Sequence, residues 1–219
     1  MATKKNTTPD RQLLISKYTD HCLVHGKRPE SVYKFAKDNG FEESHFYKHF
    51  SSFEALEKHF FAEMFNHTLE ILEKSPAYTE YSGTEKLSAF YFTFFELATA
   101  NRSFVMFALK EGGTALRNLV KLKELRTAFL PYAEAILEKP FETYGHRVGK
   151  VQDAALREGA WLQFLSILKF WMDDTSASFE KTDIFIEKSV KASADLVYNI
   201  PLKSVLDLGK FIWKEKFNA

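Results

Sequence analysis

The run GFEESHFYKHFSSFEAL, residues 40–56, contains polar side chains of the types that contact nucleic acids. Hydroxyl and imidazole groups hydrogen-bond to base edges, whereas tyrosine hydroxyls and lysine ammonium groups bind phosphate oxygens. On a short helix starting near residue 43, Phe46 would face inward, leaving the other positions outward. Glu43 is one of these outward positions. Of the others, Ser44 and His45 suit base edges, and Tyr47 and Lys48 suit phosphates.

The spacing around this run is typical of a helix-turn-helix. Such a unit needs a small residue where two helices cross, a turn residue that tolerates positive φ, and an apolar anchor on the second helix. Ala36, Gly40 and Phe46 supply these at steps of four and six residues, and Phe41 can fill the turn. Many ordinary helical hairpins also contain A-x-x-x-G. The spacing by itself leaves both interpretations open.

The residues before and after this unit predict the helices that position it. A first helix has an apolar stripe that ends at Gly26, and a second has Pro29 in its first turn and ends at Asn39-Gly40. Ser51 and Glu54 predict a capping box that starts a long fourth helix reaching about Lys74. The stripes are Leu14, Ile15, Tyr18 and Cys22 on the first helix and Phe53, Leu56, Phe60, Met64 and Leu72 on the fourth.

The rest of the chain also follows the helical period, and strand signals are nearly absent. We therefore predict an all-α fold with a three-helix head, residues 1–55, and a larger helical bundle, residues 56–219. The helices predicted in that bundle lie near 84–101, 103–111, 114–138, 151–172, 179–199 and 202–217.

Composition excludes several classes of protein. The 219 residues include 45% hydrophobic and 16% aromatic side chains, enough for a large core, and the net charge of +1 is unlike that of a histone-like coat. Residues 1–60 hold ten basic and eight acidic side chains, which is a small local excess. The single Cys22 rules out an intrachain disulfide, and the start of the sequence does not resemble a signal peptide. We therefore expect a cytoplasmic protein.

The segment FAKDNGFEESHFYKHFSSFEAL resembles the head of the TetR family of transcriptional regulators. The family pattern is I-A, a glycine followed by an apolar residue, L-Y-x-H-F, and then S-K-E-x-L. Phe35-Ala36, Gly40-Phe41, the run 46–50 and the residues Ser52, Glu54 and Leu56 follow it. The resemblance covers residues 10–60 and implies DNA binding by a homodimer, with Ser31 and His49 added to the contacts named above.

Two departures bear on that implication. Phe53 stands where members usually have a lysine that reaches a phosphate, and Glu42 and Glu43 place negative charge near the expected phosphates. Losing a phosphate contact lowers non-specific affinity and its salt dependence.

The same resemblance implies a ligand pocket and a two-helix dimer interface in the bundle. A small apolar or aromatic ligand would bind among Phe90, Tyr91, Phe94, Phe95, Arg102, Phe107 and Phe164. The dimer interface would be formed by Trp161, Leu165, Leu168, Trp171, Ile186 and Val190. Ordinary core packing is the alternative for each of these side chains.

A second segment, LKFWMDDTSASFEKTDIFIEKSV (168–190), is similar to the TetR-fold ubiquinone-biosynthesis accessory proteins, which bind isoprenoid lipids. Residues 202–217 predict an extra amphipathic helix that would either contact lipid peripherally or dock on the bundle. A lipid-binding accessory protein with weak DNA affinity is therefore the alternative to a repressor released by its ligand.

No catalytic fingerprint occurs in the sequence, and we expect neither an enzyme nor a cofactor. The pairs His21/His25 and His45/His49 have helical metal-ligand spacing, but neither has a third ligand in a known motif, so we predict no metal site.

Overall fold

The structure, a computed structural model, describes residues 8–110, 118–137 and 146–199. The described residues are all-α and contain no strand, as predicted. None of their helices combines the length and the apolarity needed to cross a bilayer. The predicted helix 202–217 lies outside the described residues.

The head consists of three helices followed by a long fourth. They are α1 (Arg11–His25), α2 (Val32–Asn39), α3 (Glu43–Tyr47) and α4 (Phe53–Glu73). Gly26 and Gly40 end α1 and α2 with positive φ, as predicted. The second helix begins later than predicted, because Ser31 is its N-cap and Pro29 precedes it.

The predicted cap of α4 is wrong by one residue. Ser52, not Ser51, has the extended backbone of an N-cap, and its Oγ accepts a hydrogen bond from the backbone N–H of Ala55 at 3.2 Å. Glu54 instead accepts a bond from the guanidinium of Arg28. Where two serines are adjacent, the sequence does not show which of them is the N-cap. The backbone geometry identifies Ser52.

The body contains six further α-helices in the described residues. They are α5 (Pro76–Glu80), α6 (Gly83–Ala100), α7 (Arg102–Lys110), α8 (Lys123–Ile136), α9 (His146–Asp173) and α10 (Glu180–Asn199). A 3₁₀ turn, Val120–Leu122, leads into α8, and another, Ala177–Phe179, precedes α10. The sequence did not predict α5, which Pro76 starts, and α9 begins at His146, five residues before the predicted start at 151.

Helix α4 connects the head to the body and packs against α6 and α8. Helix α9 packs against α8 and α10, and α10 also covers α6. Buried side chains of head and body form one continuous cluster, in which the rings of Tyr18 on α1 and Phe104 on α7 are 6.1 Å apart. The head is therefore held against the body by apolar packing. The division at residue 55 stays a prediction.

Candidate nucleic-acid interface

The turn between α2 and α3 depends on Gly40. Its φ of 73° and ψ of 34° lie in the left-handed region, where side chains with a Cβ are strained. The backbone N–H groups of Gly40 and Phe41 donate to the carbonyls of Lys37 and Ala36, at 3.2 and 3.1 Å. These bonds satisfy the end of α2 and reverse the chain, so that α3 crosses the preceding helix.

Phe46 anchors the inner side of α3. It is fully buried, and its ring lies 5.3 Å from that of Phe53 and 6.2 Å from that of Phe35. Phe41 is also buried and meets Phe35 edge-on at 5.7 Å. Because one side of this five-residue helix is fixed in the head core, its opposite side must face outward.

The outward side carries the residues predicted to contact DNA. Ser44, Tyr47 and Lys48 are exposed, with half of Tyr47 (52%) accessible, while His45 and His49 are partly buried. The Tyr47 hydroxyl donates to the Glu43 carboxylate at 3.3 Å. Desolvation and the Glu43 charge raise the pKa of Tyr47, so the hydroxyl stays a donor. We name the exposed set Ser44, Tyr47 and Lys48 the recognition face.

Ser31 and His45, both predicted to contact DNA, are also tied to the structure of the head itself. Ser31 caps α2, since its Oγ accepts a bond from the backbone N–H of Lys34 at 3.1 Å. The Nδ1 atom of His45 is buried and has no hydrogen-bond partner among the described residues, so solvent-facing contacts of this ring would use Nε2.

A cleft of about 460 Å³ beside the recognition face adds two residues that sequence reasoning missed. Tyr33 and Lys37 of α2 line it together with Glu43 and Ser44 of α3. Tyr33 is 60% exposed. The signal was present in the sequence, because residues four apart share one helix face and both positions lie away from buried Phe35 and Ala36.

Phe53 stands at the position where the resemblance to the TetR family implies a phosphate-binding lysine. Its ring is 9% exposed and stacks on Tyr18 with centroids 5.0 Å apart. This position therefore completes the core of the head and does not face a DNA backbone.

Most of the predicted ligand-pocket residues lie in the packed core of the body. Phe164 lies 5.0 Å from Phe94 and 5.6 Å from Phe95, measured between ring centroids. The Tyr91 hydroxyl donates to the carbonyl of Ala160 at 2.8 Å, and burial raises the pKa of Tyr91 well above its usual value. The buried members are Phe90, Tyr91, Phe94, Phe95 and Phe164, whereas Phe107 is half-buried beside Phe104.

Arg102 has a structural role at the end of α9. Its guanidinium lies 4.4 Å from the ring centroids of both Trp171 and Phe179. It donates to the carbonyls of Trp171 and Met172, at 3.0 and 3.2 Å. Cationic side chains satisfy the last carbonyls of a helix in this way. The pocket stays a prediction.

An apolar cleft of about 290 Å³ lies elsewhere in the body, between α6, α9 and α10. Leu87, Leu156 and Val190 contribute to its walls, and Gln163 supplies an amide. That amide donates to the hydroxyls of Ser189 and Ser193.

The residues predicted for the dimer interface are mainly buried inside their own protomer. Trp161, Leu168, Trp171, Ile186 and Val190 are at most 6% exposed, and Leu165 is partly buried. The same two helices expose other apolar side chains, namely Leu162 (63%), Ile184 (49%) and Leu196 (61%). A dimer formed through α9 and α10 stays a prediction, and these three residues are exposed apolar side chains that could take part in it.

The predicted lipid contact through 202–217 lies outside the described residues. Among the described residues, no three His, Cys, Asp or Glu side chains are grouped so that they could hold a metal ion. His21 and His25 stack with ring centroids 4.2 Å apart.

Fold and surface together define an all-α protein with a helix-turn-helix head. A family model described as "Tetracyclin repressor-like, C-terminal domain" matches residues 86–212, more than half of the chain. The protein belongs to this TetR family. No curated protein matches the chain, and the similarity to the ubiquinone-biosynthesis accessory proteins is not shown.

Proposed function

We propose that this protein is a homodimeric transcriptional repressor that binds a pseudo-palindromic DNA operator and is released by a small apolar or aromatic ligand. The observation that carries the proposal is the recognition face, exposed on a helix whose other side is anchored by buried Phe46. A recognition helix presents its N-terminal residues to base edges and its later residues to the backbone. Ser44 would contact a base, and Tyr47 and Lys48 would contact phosphates.

The charges around the recognition face favour sequence-dependent binding over general DNA affinity. Lys37 and Lys48 supply positive charge, whereas Glu42 and Glu43 oppose phosphates. Each phosphate contact adds about 0.9 to the slope with which the logarithm of the binding constant falls against the logarithm of the salt concentration. A protein with few such contacts therefore loses little affinity as salt is raised. Most of the discrimination would then come from base contacts.

A homodimer would place two copies of α3 against successive major grooves. Half-sites of such dimers lie about 34–36 Å apart, one turn of duplex. Leu162, Ile184 and Leu196 are exposed apolar side chains of α9 and α10 that a second copy could cover. A ligand would release the operator by binding more tightly to a state in which the two α3 helices are wrongly spaced.

The test is selection of duplexes from a randomised pool at low salt, followed by affinity measurements against salt concentration. We expect an inverted repeat with half-site centres about 10 base pairs apart. Lys48→Ala should lower the affinity and reduce the salt slope by about 0.9.

Lys74→Ala is the matched control, because Lys74 is an exposed lysine at the far end of α4. It should leave both quantities unchanged. Recovery of no preferred duplex, or equal losses from both lysine variants, would contradict the proposal.

A further inference from the structure

Glu43 is the first residue of α3 and lies at the edge of the recognition face. Its side chain is partly exposed and lines the cleft of about 460 Å³ with Tyr33 and Lys37 of α2. Its Oε1 accepts a hydrogen bond from the Tyr47 hydroxyl at 3.3 Å, and no described residue donates to its Oε2. Glu43 therefore presents an acceptor, oriented by a residue one helical turn later, beside the side chains proposed to contact DNA.

A carboxylate at this position is unfavourable for general DNA affinity. Phosphates repel it, and the neighbouring Glu42 adds a second negative charge. Lys37 in the same cleft offsets part of this repulsion. A carboxylate that loses its water at a DNA interface still needs a hydrogen-bond donor in exchange.

The base edges of the major groove narrow the choice of that donor. Guanine presents two acceptors there, thymine presents an acceptor and a methyl group, and adenine presents an amino donor beside the acceptor N7. Cytosine presents its N4 amino group and no acceptor. Because an ionised carboxylate has only acceptor atoms, its favourable base is cytosine, and the N7 atom of adenine repels it.

We propose that Glu43 reads one cytosine in each half-site of the operator, and that the Tyr47 hydroxyl positions its carboxylate for that contact. The N-terminal residues of a recognition helix are the ones that reach base edges, and Glu43 begins α3. A hydroxyl has one proton to donate, so Tyr47 is then a positioning residue and Lys48 supplies the phosphate contact of the recognition face. This inference rests on the proposed function and names a base pair that the operator contains.

The test uses the full chain and a randomised pool of duplexes at low salt. We expect the wild-type protein to select an inverted repeat with an invariant cytosine in each half-site. Replacing that base pair in both half-sites should lower the affinity about 25-fold or more, because a good base contact discriminates at least about fivefold and the dimer makes it twice.

Variants of Glu43 identify the base that it contacts. Glu43→Gln should replace the cytosine by adenine at that one position, because an amide pairs with both N6 and N7 of adenine. Glu43→Ala should lose the preference there and keep the preferred bases elsewhere. If Glu43 only repels phosphates, both variants will instead bind all duplexes more tightly with the same preferred bases, and that result would overturn the contact.

Glu42→Gln is the matched control. Glu42 is exposed, lines the same cleft and makes no hydrogen bond to the backbone at the start of α3. Removing its charge should raise the affinity for all duplexes without changing any preferred base. A change of preferred base equal to that caused by Glu43→Gln would contradict the assignment.

Tyr47→Phe tests the positioning role, since it keeps the ring and removes the hydroxyl. We expect the preference for cytosine to fall about twofold or more, because the carboxylate loses one hydrogen bond that orients it, while the other positions keep their preferences. An equal loss of affinity for every duplex would overturn this role and show that the hydroxyl contacts a phosphate.

Failure of this contact and failure of the proposed function are distinguishable. Selection of no preferred duplex would remove the regulator, and the contact with it. Selection of an inverted repeat whose bases are the same for the wild type and both Glu43 variants would leave the regulator standing and overturn the contact.

Discussion

Two helices of this chain use aromatic residues in different ways. Helix α3 buries Phe46 and exposes polar side chains on its other side, so a helix of five residues has a clear inner and outer face. Helix α6 buries one stripe of aromatic rings, Phe90, Tyr91, Phe94 and Phe95, but it also carries an aromatic side chain, Phe92, on its exposed side. On α3 the polar and apolar residues separate the two sides of the helix, whereas on α6 an aromatic residue also lies on the exposed side, so residue type alone does not show which side is buried.

The largest effect expected from this comparison is in the body. Phe164→Ala should lower the free energy of unfolding by about 3–5 kcal/mol, because it leaves a cavity among the rings of Phe94, Phe95 and Trp161. Phe92→Ala, at a position 38% exposed, should cost about 1 kcal/mol or less. Chemical denaturation measures both values. Similar losses would mean that the core is not centred on Phe164.

Smaller changes in the free energy of unfolding are expected when two glycines are replaced by alanine, a loss of stability in the head and a gain in the body. Gly40→Ala should destabilise the protein by about 1–2 kcal/mol, because a left-handed conformation is unfavourable for alanine. Gly159→Ala should stabilise it by about 0.5–1 kcal/mol, since this glycine is inside α9 and a Cβ there meets nothing within 4 Å.

Thermal or chemical unfolding distinguishes the two glycine variants directly. Destabilisation by both substitutions would show that packing around Gly159 outweighs helix propensity. If neither variant changed stability, the conformation assigned to the turn at Gly40 would be contradicted.

The elements of the head could be predicted from sequence because their signals are local. Gly40 ends α2, Phe46 anchors α3, and both act within a few residues of the run 40–56. The all-α class was predictable for the same reason, since helical periodicity is read in short windows. The exposed positions of α3 follow from that periodicity once one buried residue is known.

The long-range contacts could not be predicted in this way. Glu57 meets Arg28 and Lys121 across 29 and 64 positions of sequence, and no local pattern connects them. Arg102 donates to carbonyls about 70 positions away, at the end of α9, and no local pattern indicates that contact either. In the body, periodicity located the helices but did not separate side chains that face the core from those that could face a second copy.

The smallest predicted effect concerns the start of α4, where sequence and structure differ by one residue. Ser52→Ala should cost about 1 kcal/mol, because the Ala55 N–H loses its side-chain acceptor. Ser51→Ala should change stability by no more than about 0.5 kcal/mol, since Ser51 is exposed and lies outside the cap. Urea denaturation of the two variants, made in the same background, resolves this difference. A larger loss at Ser51 would support the capping box predicted from sequence. Helix α4, which carries Glu57, would then begin one residue earlier.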